Sequence, residues 1–239
     1  MEDWPDGTLA DYTLVPVEAL TPVDGLDALS SPQLAALSRF IIPFGGLLRG
    51  RLAAGEALAV TGATGAYGTA AVLLAIALGA ARVIAIGRNA PALAATARIA
   101  GSRVHPIQLQ GDVATDAAAI REVAGSGVDM AFDMVGNAAD PKATLAALHS
   151  LRRGGRLVLM GSMTVDLPVP YTQLMLNGWE IIGQFMFPRA AYRQLIELVR
   201  SGQLAPSTLQ PHVFPLTDLP KAMEASRAAG HLEYVVVQP

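Results

Sequence analysis

Residues 57–89 read ALAVTGATGAYGTAAVLLAIALGAARVIAIGRN, and this stretch decides the fold. Ala57 to Val60 is a short apolar run without polar alternation, the pattern of a strand covered on both faces. Gly62, Gly65 and Gly68 follow, with Ala63 and Ala66 between them. Thr69 to Leu78 is apolar almost throughout, which predicts a buried helix. Arg82 to Ile86 is a second apolar run. Strand, glycine turn, helix and strand close within about 30 residues, the length of a dinucleotide-binding βαβ half.

The glycines have separate tasks. One lets the chain turn sharply out of the strand, one admits backbone N–H groups to a pyrophosphate, and one lets the helix pack on the strand. The phosphates would sit at the positive end of a helix starting near Ala66. The candidate phosphate loop is therefore Gly62, Ala63, Thr64, Gly65, Ala66, Tyr67 and Gly68, with Tyr67 either covering the cofactor or packing. The second strand selects the cofactor. A site for NAD places Asp or Glu about 20 residues beyond the glycines, on the ribose 2′-hydroxyl. This chain has Gly87, Arg88 and Asn89 there. No carboxylate repels a 2′-phosphate, Arg88 can pair with one through two N–H groups, and Asn89 can donate. The expected cofactor is NADP(H).

Composition narrows the class. The 239 residues are 52% hydrophobic with a net charge of −3, and mean hydropathy is +0.39. These values suit doubly covered strands and apolar helices. The apolar stretch from Ala70 to Ala81 is too short to span a bilayer and ends in Arg82. The start, MEDWPDG, does not read as a signal peptide. Cysteine is absent, which excludes disulfides and Cys-ligated zinc within this sequence. No basic cluster points to nucleic acid or an anionic membrane. The expectation is a soluble, cytoplasmic protein acting on a small-molecule substrate.

Along the chain, Leu9 to Pro16 contains strand-like pairs, broken by prolines at 5, 16, 22 and 32. Leu34 to Arg39 predicts a helix opened by Pro32. Residues 40–56 predict a helical portion interrupted by Pro43, Gly45 and Gly46. Further helices are predicted over Pro91–Ala100, Asp116–Ala124, Pro141–Leu151, Arg189–Arg200 and Leu219–Ala229. Further strands are predicted over Val104–Leu109, Val128–Val135, Arg156–Met160, Glu180–Phe187 and Tyr234–Val237. Tyr171, after two prolines, is left in a loop. The alternation predicts an α/β fold, a Rossmann-type doubly wound parallel sheet. Ligands of such sheets bind outside the carboxyl ends of the strands, so Gly136, Gly161 and Ser162 share a rim with the glycine turn. Asp129 and Asp133 share one strand face; they are read as loop and strand-end anchors rather than as a catalytic pair. His105, His149, His212 and His231 show no ligand spacing.

The run from Gly55 to Gly68, the strand VDMAFDMVG, the segment LRRGGRLVLMGS and the tail VFPLTDLPKAMEA…YVVVQP resemble the medium-chain dehydrogenase/reductases. That superfamily holds the zinc-type alcohol dehydrogenases and the zinc-free quinone oxidoreductases. The resemblance implies a GroES-like catalytic domain split around the nucleotide domain. Residues 1–35 would be a remnant of that domain, 36–203 the Rossmann NADP(H)-binding domain, and 204–239 the return segment of the catalytic domain. The larger N-terminal part of the catalytic domain, with the family's zinc ligands, is missing from the sequence, and Leu37 to Pro43 holds no Cys, Asp, Glu or His. No metal site is expected and no catalytic residue presents itself. The resemblance places Val135 and Gly136 by the ribose, Gly161 and Ser162 by the nicotinamide, and Gly183 and Gln184 on the other side. It implies an NADP(H)-dependent oxidoreductase transferring hydride between nicotinamide and a carbonyl, enone, quinone or alcohol substrate without zinc, and a homodimer joined through Ile181–Gly183. The alternatives are a non-catalytic NADP(H)-binding protein and a fragment of a longer alcohol dehydrogenase. A short-chain reductase also fits the run from Thr61 to Gly68. It is opposed by the 56 residues ahead of the strand and by the missing Tyr-x-x-x-Lys pair: Tyr171 precedes Met175 and Tyr192 precedes Ile196 at that spacing.

Overall fold

The computed structural model describes residues 7–239. The described chain forms two compact units. One comprises Arg39–Ala191; the other comprises the residues up to Ser38 together with Tyr192–Pro239.

The Arg39–Ala191 unit is built on a parallel sheet. Its strands are β1 (Ala57–Thr61), β2 (Arg82–Gly87), β3 (Val104–Gln108), β4 (Val128–Asp133), β5 (Leu151–Leu159) and β6 (Glu180–Gly183). Their spatial order is β3-β2-β1-β4-β5-β6, and every pairing is parallel. The order reverses beside β1, where the glycine turn leaves the sheet, and such a switch point opens a crevice at the strand ends. Helix α3 (Ala66–Ala77) follows β1, α4 (Ala90–Ala100) follows β2, α5 (Val113–Ala124) follows β3, and α6 (Lys142–His149) follows β4. Leu58, Ala59 and Val60 are fully buried, as are Val83 to Ile86. Both strands are therefore covered on both faces, which explains their lack of polar alternation. Ala59, Ile84, Ile86, Ile120, Ala131, Leu148 and Leu157 belong to one buried cluster.

Several sequence-based boundaries are corrected. No strand forms between residues 7 and 16. The helix predicted over 34–39 is instead two: α1 (Ser31–Ala35), opened by a Ser30–Gln33 capping box, and α2 (Leu37–Arg49). Helix α2 runs unbroken through Pro43, Gly45 and Gly46. Pro43 costs it one helical hydrogen bond. The glycines, however, let it sit directly on its neighbours: a Cβ on Gly46 would come within 2.5 Å of the Phe132 ring, and one on Gly45 within 2.5 Å of the Met186 carbonyl. Close packing holds this helix where local propensity would break it.

Strand β5 begins at Leu151, not Arg156, because Val128 pairs with Leu151 while Met130 pairs with Arg156. Arg152 to Gly155 is a bulge inside the strand rather than a loop before it. Strand β6 stops at Gly183, and the chain turns away through Met186 at φ 57. Helix α5 starts three residues before Asp116, because Asp112 caps it by accepting from the Thr115 N–H at 2.9 Å. Tyr171 opens a helix, α7 (Tyr171–Asn177), rather than lying in a loop.

In the other unit, β7 (Gln210–Pro215) and β8 (Glu233–Gln238) form a two-stranded parallel sheet. The prolines at 211 and 215 hid β7 from the sequence reading. They are tolerated because, among the described residues, β7 has one partner strand, so its other edge needs no N–H donors. Helix α8 (Ala191–Arg200) is strongly amphipathic, and α9 (Leu219–Ala228) leads into β8. The Tyr234 hydroxyl donates to the Pro32 carbonyl at 2.7 Å, joining β8 to the start of α1. Among the described residues, no helix is long and apolar enough to cross a membrane.

Candidate functional site

The carboxyl ends of β1 to β4 open into a cleft of about 570 Å³. Its floor is the glycine turn. Gly62 takes φ +68, a conformation that side chains resist. A Cβ on Gly62 would also meet the Met134 carbonyl at 2.7 Å. Gly65 is the N-cap of α3 and offers no side-chain cap. The N–H groups of Ala66, Tyr67 and Gly68 open the helix and have no intrahelical acceptors. They stand at the positive end of the helix dipole, which favours an anion. Gly68 closes the turn: a Cβ there would lie 2.0 Å from the Gly62 carbonyl oxygen. The backbone thus forms a shallow cradle with spare donors and no side chain in its way. The shape and donors fit the pyrophosphate of a dinucleotide.

The cleft brings together Gly62, Thr64, Gly65, Gly87, Arg88, Val135 and Gly136 of the predicted residues. Ala63 is fully buried beneath it, and its N–H donates to the Ile86 carbonyl. Tyr67 is half exposed on the first turn of α3. Arg88 is exposed and makes no ion pair among the described residues. Its backbone is fixed by the Gln108 side-chain amide, which donates to the Arg88 carbonyl at 3.1 Å. Asn89 spends its carboxamide oxygen on capping α4, accepting from the Ala92 N–H at 3.1 Å. No Asp or Glu stands at the β2 terminus.

Gly161 and Ser162 lie against the β4 rim rather than in the cleft lining. The Ser162 N–H donates to the Val135 carbonyl at 2.9 Å, and its hydroxyl accepts from the Asn137 N–H at 2.8 Å. Gly183 ends β6. Gln184 lines a separate cavity of about 510 Å³ with Leu48, Arg49, Arg51 and Phe187.

The sequence reading missed the far wall of the cleft. Leu109, Gln110 and Gly111 line it after β3, and Asn137 to Asp140 and Lys142 line it after β4. Buried Asp116 shapes that wall, accepting from the Gln110 N–H at 2.8 Å and the Gly111 N–H at 3.1 Å. An acidic residue one turn into a helix that follows a glycine was the available signal.

The aspartates of β4 are anchors. Asp129 accepts from the Ala57 N–H at 2.7 Å and pairs with Arg152 at 2.5 Å. Asp133 is buried and accepts from the Thr61 hydroxyl at 2.6 Å and from the Val135 N–H at 3.3 Å. Burial pushes its carboxyl above the usual carboxylate range, opposed by those hydrogen bonds and one from Thr144. Among the described residues, no three His, Cys, Asp or Glu side chains gather in a group that could hold a metal ion.

Comparison with known proteins agrees with this geometry. An L-threonine 3-dehydrogenase of Bacillus subtilis is 28% identical over 250 residues, covering 98% of this chain and 65% of that protein. An NAD-dependent alcohol dehydrogenase of Sulfurisphaera tokodaii is 26% identical over 231 residues, covering 95% and 61%. Among solved structures, alcohol dehydrogenase TADH from Thermus sp. ATN1 superposes with a TM-score of 0.70 at 26% identity, over 95% of this chain and 61% of that one. The chain spans between about half and two thirds of the length of its first curated relatives. Residues 66–201 match the family model described as zinc-binding dehydrogenase. With that match over more than half its length, and with the parallel sheet and glycine cradle that carry it, the chain belongs to the zinc-binding dehydrogenase family of the medium-chain dehydrogenase/reductases.

Proposed function

We propose that this chain holds NADP(H) for an oxidoreductase that moves hydride between the nicotinamide and a carbonyl, enone, quinone or alcohol substrate, without zinc bound by its own described residues. The carrying observation is the cleft, with a glycine-turn cradle at one end and, at the other, Arg88, which makes no ion pair among the described residues. In this reading the first N–H groups of α3 bind the pyrophosphate, and Arg88 pairs with the adenosine 2′-phosphate. Val135 and Gly136 face the ribose. Gly161 and Ser162 support the nicotinamide end by bracing the β4 turn, with Gly183 and Gln184 beyond them. A bound dinucleotide would supply or accept the hydride, while the protein orients it and excludes water from one face. Residues up to 35 and from 204 onward act as the margins of a substrate-side domain. The β6 edge, carrying Ile181 and Ile182, joins two copies.

A second reading, binding without turnover, is favoured by one observation. The cleft's own acids are engaged: Asp116 accepts two amide N–H groups, and Asp140 accepts from the Lys142 N–H at 3.0 Å. Neither is placed to give a proton.

Titration with NADPH and NADH, followed by nicotinamide fluorescence, tests the cofactor assignment. Charge-assisted hydrogen bonds are worth about 1.5–3 kcal/mol, so Arg88→Ala is expected to weaken NADPH about ten- to a hundredfold and leave NADH unchanged. Equal affinity for both cofactors in the parent chain would remove the NADP assignment. A panel of alcohols, aldehydes, enones and quinones then separates the two readings, since tight binding with no turnover on any member selects the second.

A further inference from the structure

Asp133 is a buried ionisable group that the cofactor assignment leaves unused. It sits where three rim turns meet. From β1, the Thr61 hydroxyl donates to Oδ1 at 2.6 Å. From the turn after β4, the Val135 N–H donates to the same oxygen at 3.3 Å. From the turn after β5, Gly161 approaches so closely that a Cβ on it would lie 3.2 Å from Oδ2 and 2.4 Å from the Val135 carbonyl. Gly62, the first residue of the anion cradle, is in turn seated on Met134 and Val135. One carboxyl therefore joins the end of β1 to the β4 turn on which the cradle is seated, and the β5 turn packs against it.

We infer that Asp133 is a positioning residue of the cofactor site and that dinucleotide binding draws a proton onto it. The inference rests on the dinucleotide reading above. Its physical basis is charge. A carboxylate beneath an anion cradle opposes the phosphates, whereas the neutral acid keeps an acceptor for Thr61 and Val135 without that repulsion. Burial already raises its pKa above that of an exposed carboxylate. The groups facing Asp133 are Thr61 from β1, Thr144 from α6, Val135 of its own turn and the backbone of Gly161. No charged side chain is among the influences on its ionisation. A bound dinucleotide adds negative charge and removes water, and both raise the pKa further. The sign follows. Affinity is greatest at low pH and falls as pH rises through the free-state pKa. It levels off above the bound-state pKa.

The test is the dissociation constant of NADP+ measured by calorimetry across pH 5.5–8.5, for the parent protein and for Asp133→Asn. The 2′-phosphate titrates in both, so their difference isolates Asp133. One linked proton changes affinity by up to about tenfold per pH unit between the two pKa values. The parent is expected to lose several-fold more affinity with rising pH than Asp133→Asn, and to take up more protons on binding in buffers of different ionisation enthalpy. Thr61→Val removes a donor that favours the charged form, so its pH profile is expected to move upward. A purely structural role would lower the affinity of Asp133→Asn equally at every pH, and that parallel pair of profiles overturns the inference while leaving the dinucleotide reading intact. Absence of NADP+ binding by the folded parent chain overturns both.

Discussion

Gly68→Ala is expected to weaken NADPH binding at least about a hundredfold, a loss of roughly 2.8 kcal/mol, while the far-ultraviolet circular dichroism stays native. The reason is local. The added Cβ would lie 2.0 Å from the Gly62 carbonyl oxygen, 2.6 Å from the Gly62 carbonyl carbon and 2.9 Å from the Ala63 Cα. All three are backbone atoms and have no rotamer to change. The first turn of α3 must move away from the β1 turn, and its N–H groups lose their common aim. Helix α3 remains anchored farther along by Ala70, Ala71, Val72, Leu74 and Ala75, all fully buried, so the fold persists. Overpacking of this kind costs about 1–3 kcal/mol of stability. Gly65→Ala is the internal comparison. Its Cβ would lie 3.3 Å from the same oxygen, and Gly65 has φ −90, which alanine accepts. Urea melts should therefore show Gly65→Ala closer to the parent than Gly68→Ala. Parent-like NADPH affinity in folded Gly68→Ala would mean that phosphates do not use this turn.

The second large effect concerns stability. Arg156→Ala is expected to cost about 3–5 kcal/mol, the penalty for breaking a buried ion pair from one side. That is a large part of a typical folding free energy of about 5–15 kcal/mol. Arg156 stands in β5 and is almost wholly buried. Its Nη2 donates to Glu56 at 2.5 Å and to the Arg51 carbonyl at 2.9 Å. Its Nη1 donates to Glu56 at 3.0 Å and to the Asp129 carbonyl at 3.3 Å, and its Nε donates to the Gly50 carbonyl. All five N–H donors of the guanidinium are used. The side chain thereby pins the segment after α2, the turn before β1, and β4 to β5. Alanine would leave a mostly buried Glu56 carboxylate and three carbonyls unanswered. Arg156→Lys keeps the charge but not the fork, so its midpoint should fall between those of parent and Arg156→Ala. Pairing Arg156→Met with Glu56→Gln should recover part of the loss, because no uncompensated charge remains. Chemical denaturation at neutral pH measures all four proteins. A midpoint for Arg156→Ala equal to the parent's would refute the assignment.

Much of the parallel-sheet unit could be read directly from the chain. Doubly buried strands announce themselves as unbroken apolar runs, and the glycines of a tight phosphate turn stand at fixed offsets between a strand and a helix. The β2 terminus showed Arg88 where a carboxylate would serve a ribose hydroxyl. These signals are local, arising within a few residues of where they act. The family resemblance then rested on several such segments in order, and the zinc-binding dehydrogenase match agrees with it.

The remaining features depended on partners far away in sequence. Pro43, Gly45 and Gly46 oppose a helix locally, yet α2 persists because those glycines let it rest on Phe132, Met160 and the Met186–Phe187 backbone. The start of β5 depended on the register with Val128, which no property of Leu151 to Gly155 encodes by itself. Strand β7 was hidden by its prolines until β8 paired along one edge. Arg156 carried no signal in sequence and Asp133 only that of a strand-end anchor; burial and hydrogen-bond partners about 70 to 100 residues away gave them their roles. The sequence by itself determined the alternation of strands and helices in the parallel-sheet unit, the glycine turn and the charge at the β2 end. The tertiary structure alone decided which chain breaks were overridden and which polar groups were buried, because those outcomes are set by packing and desolvation between distant segments rather than by local propensity.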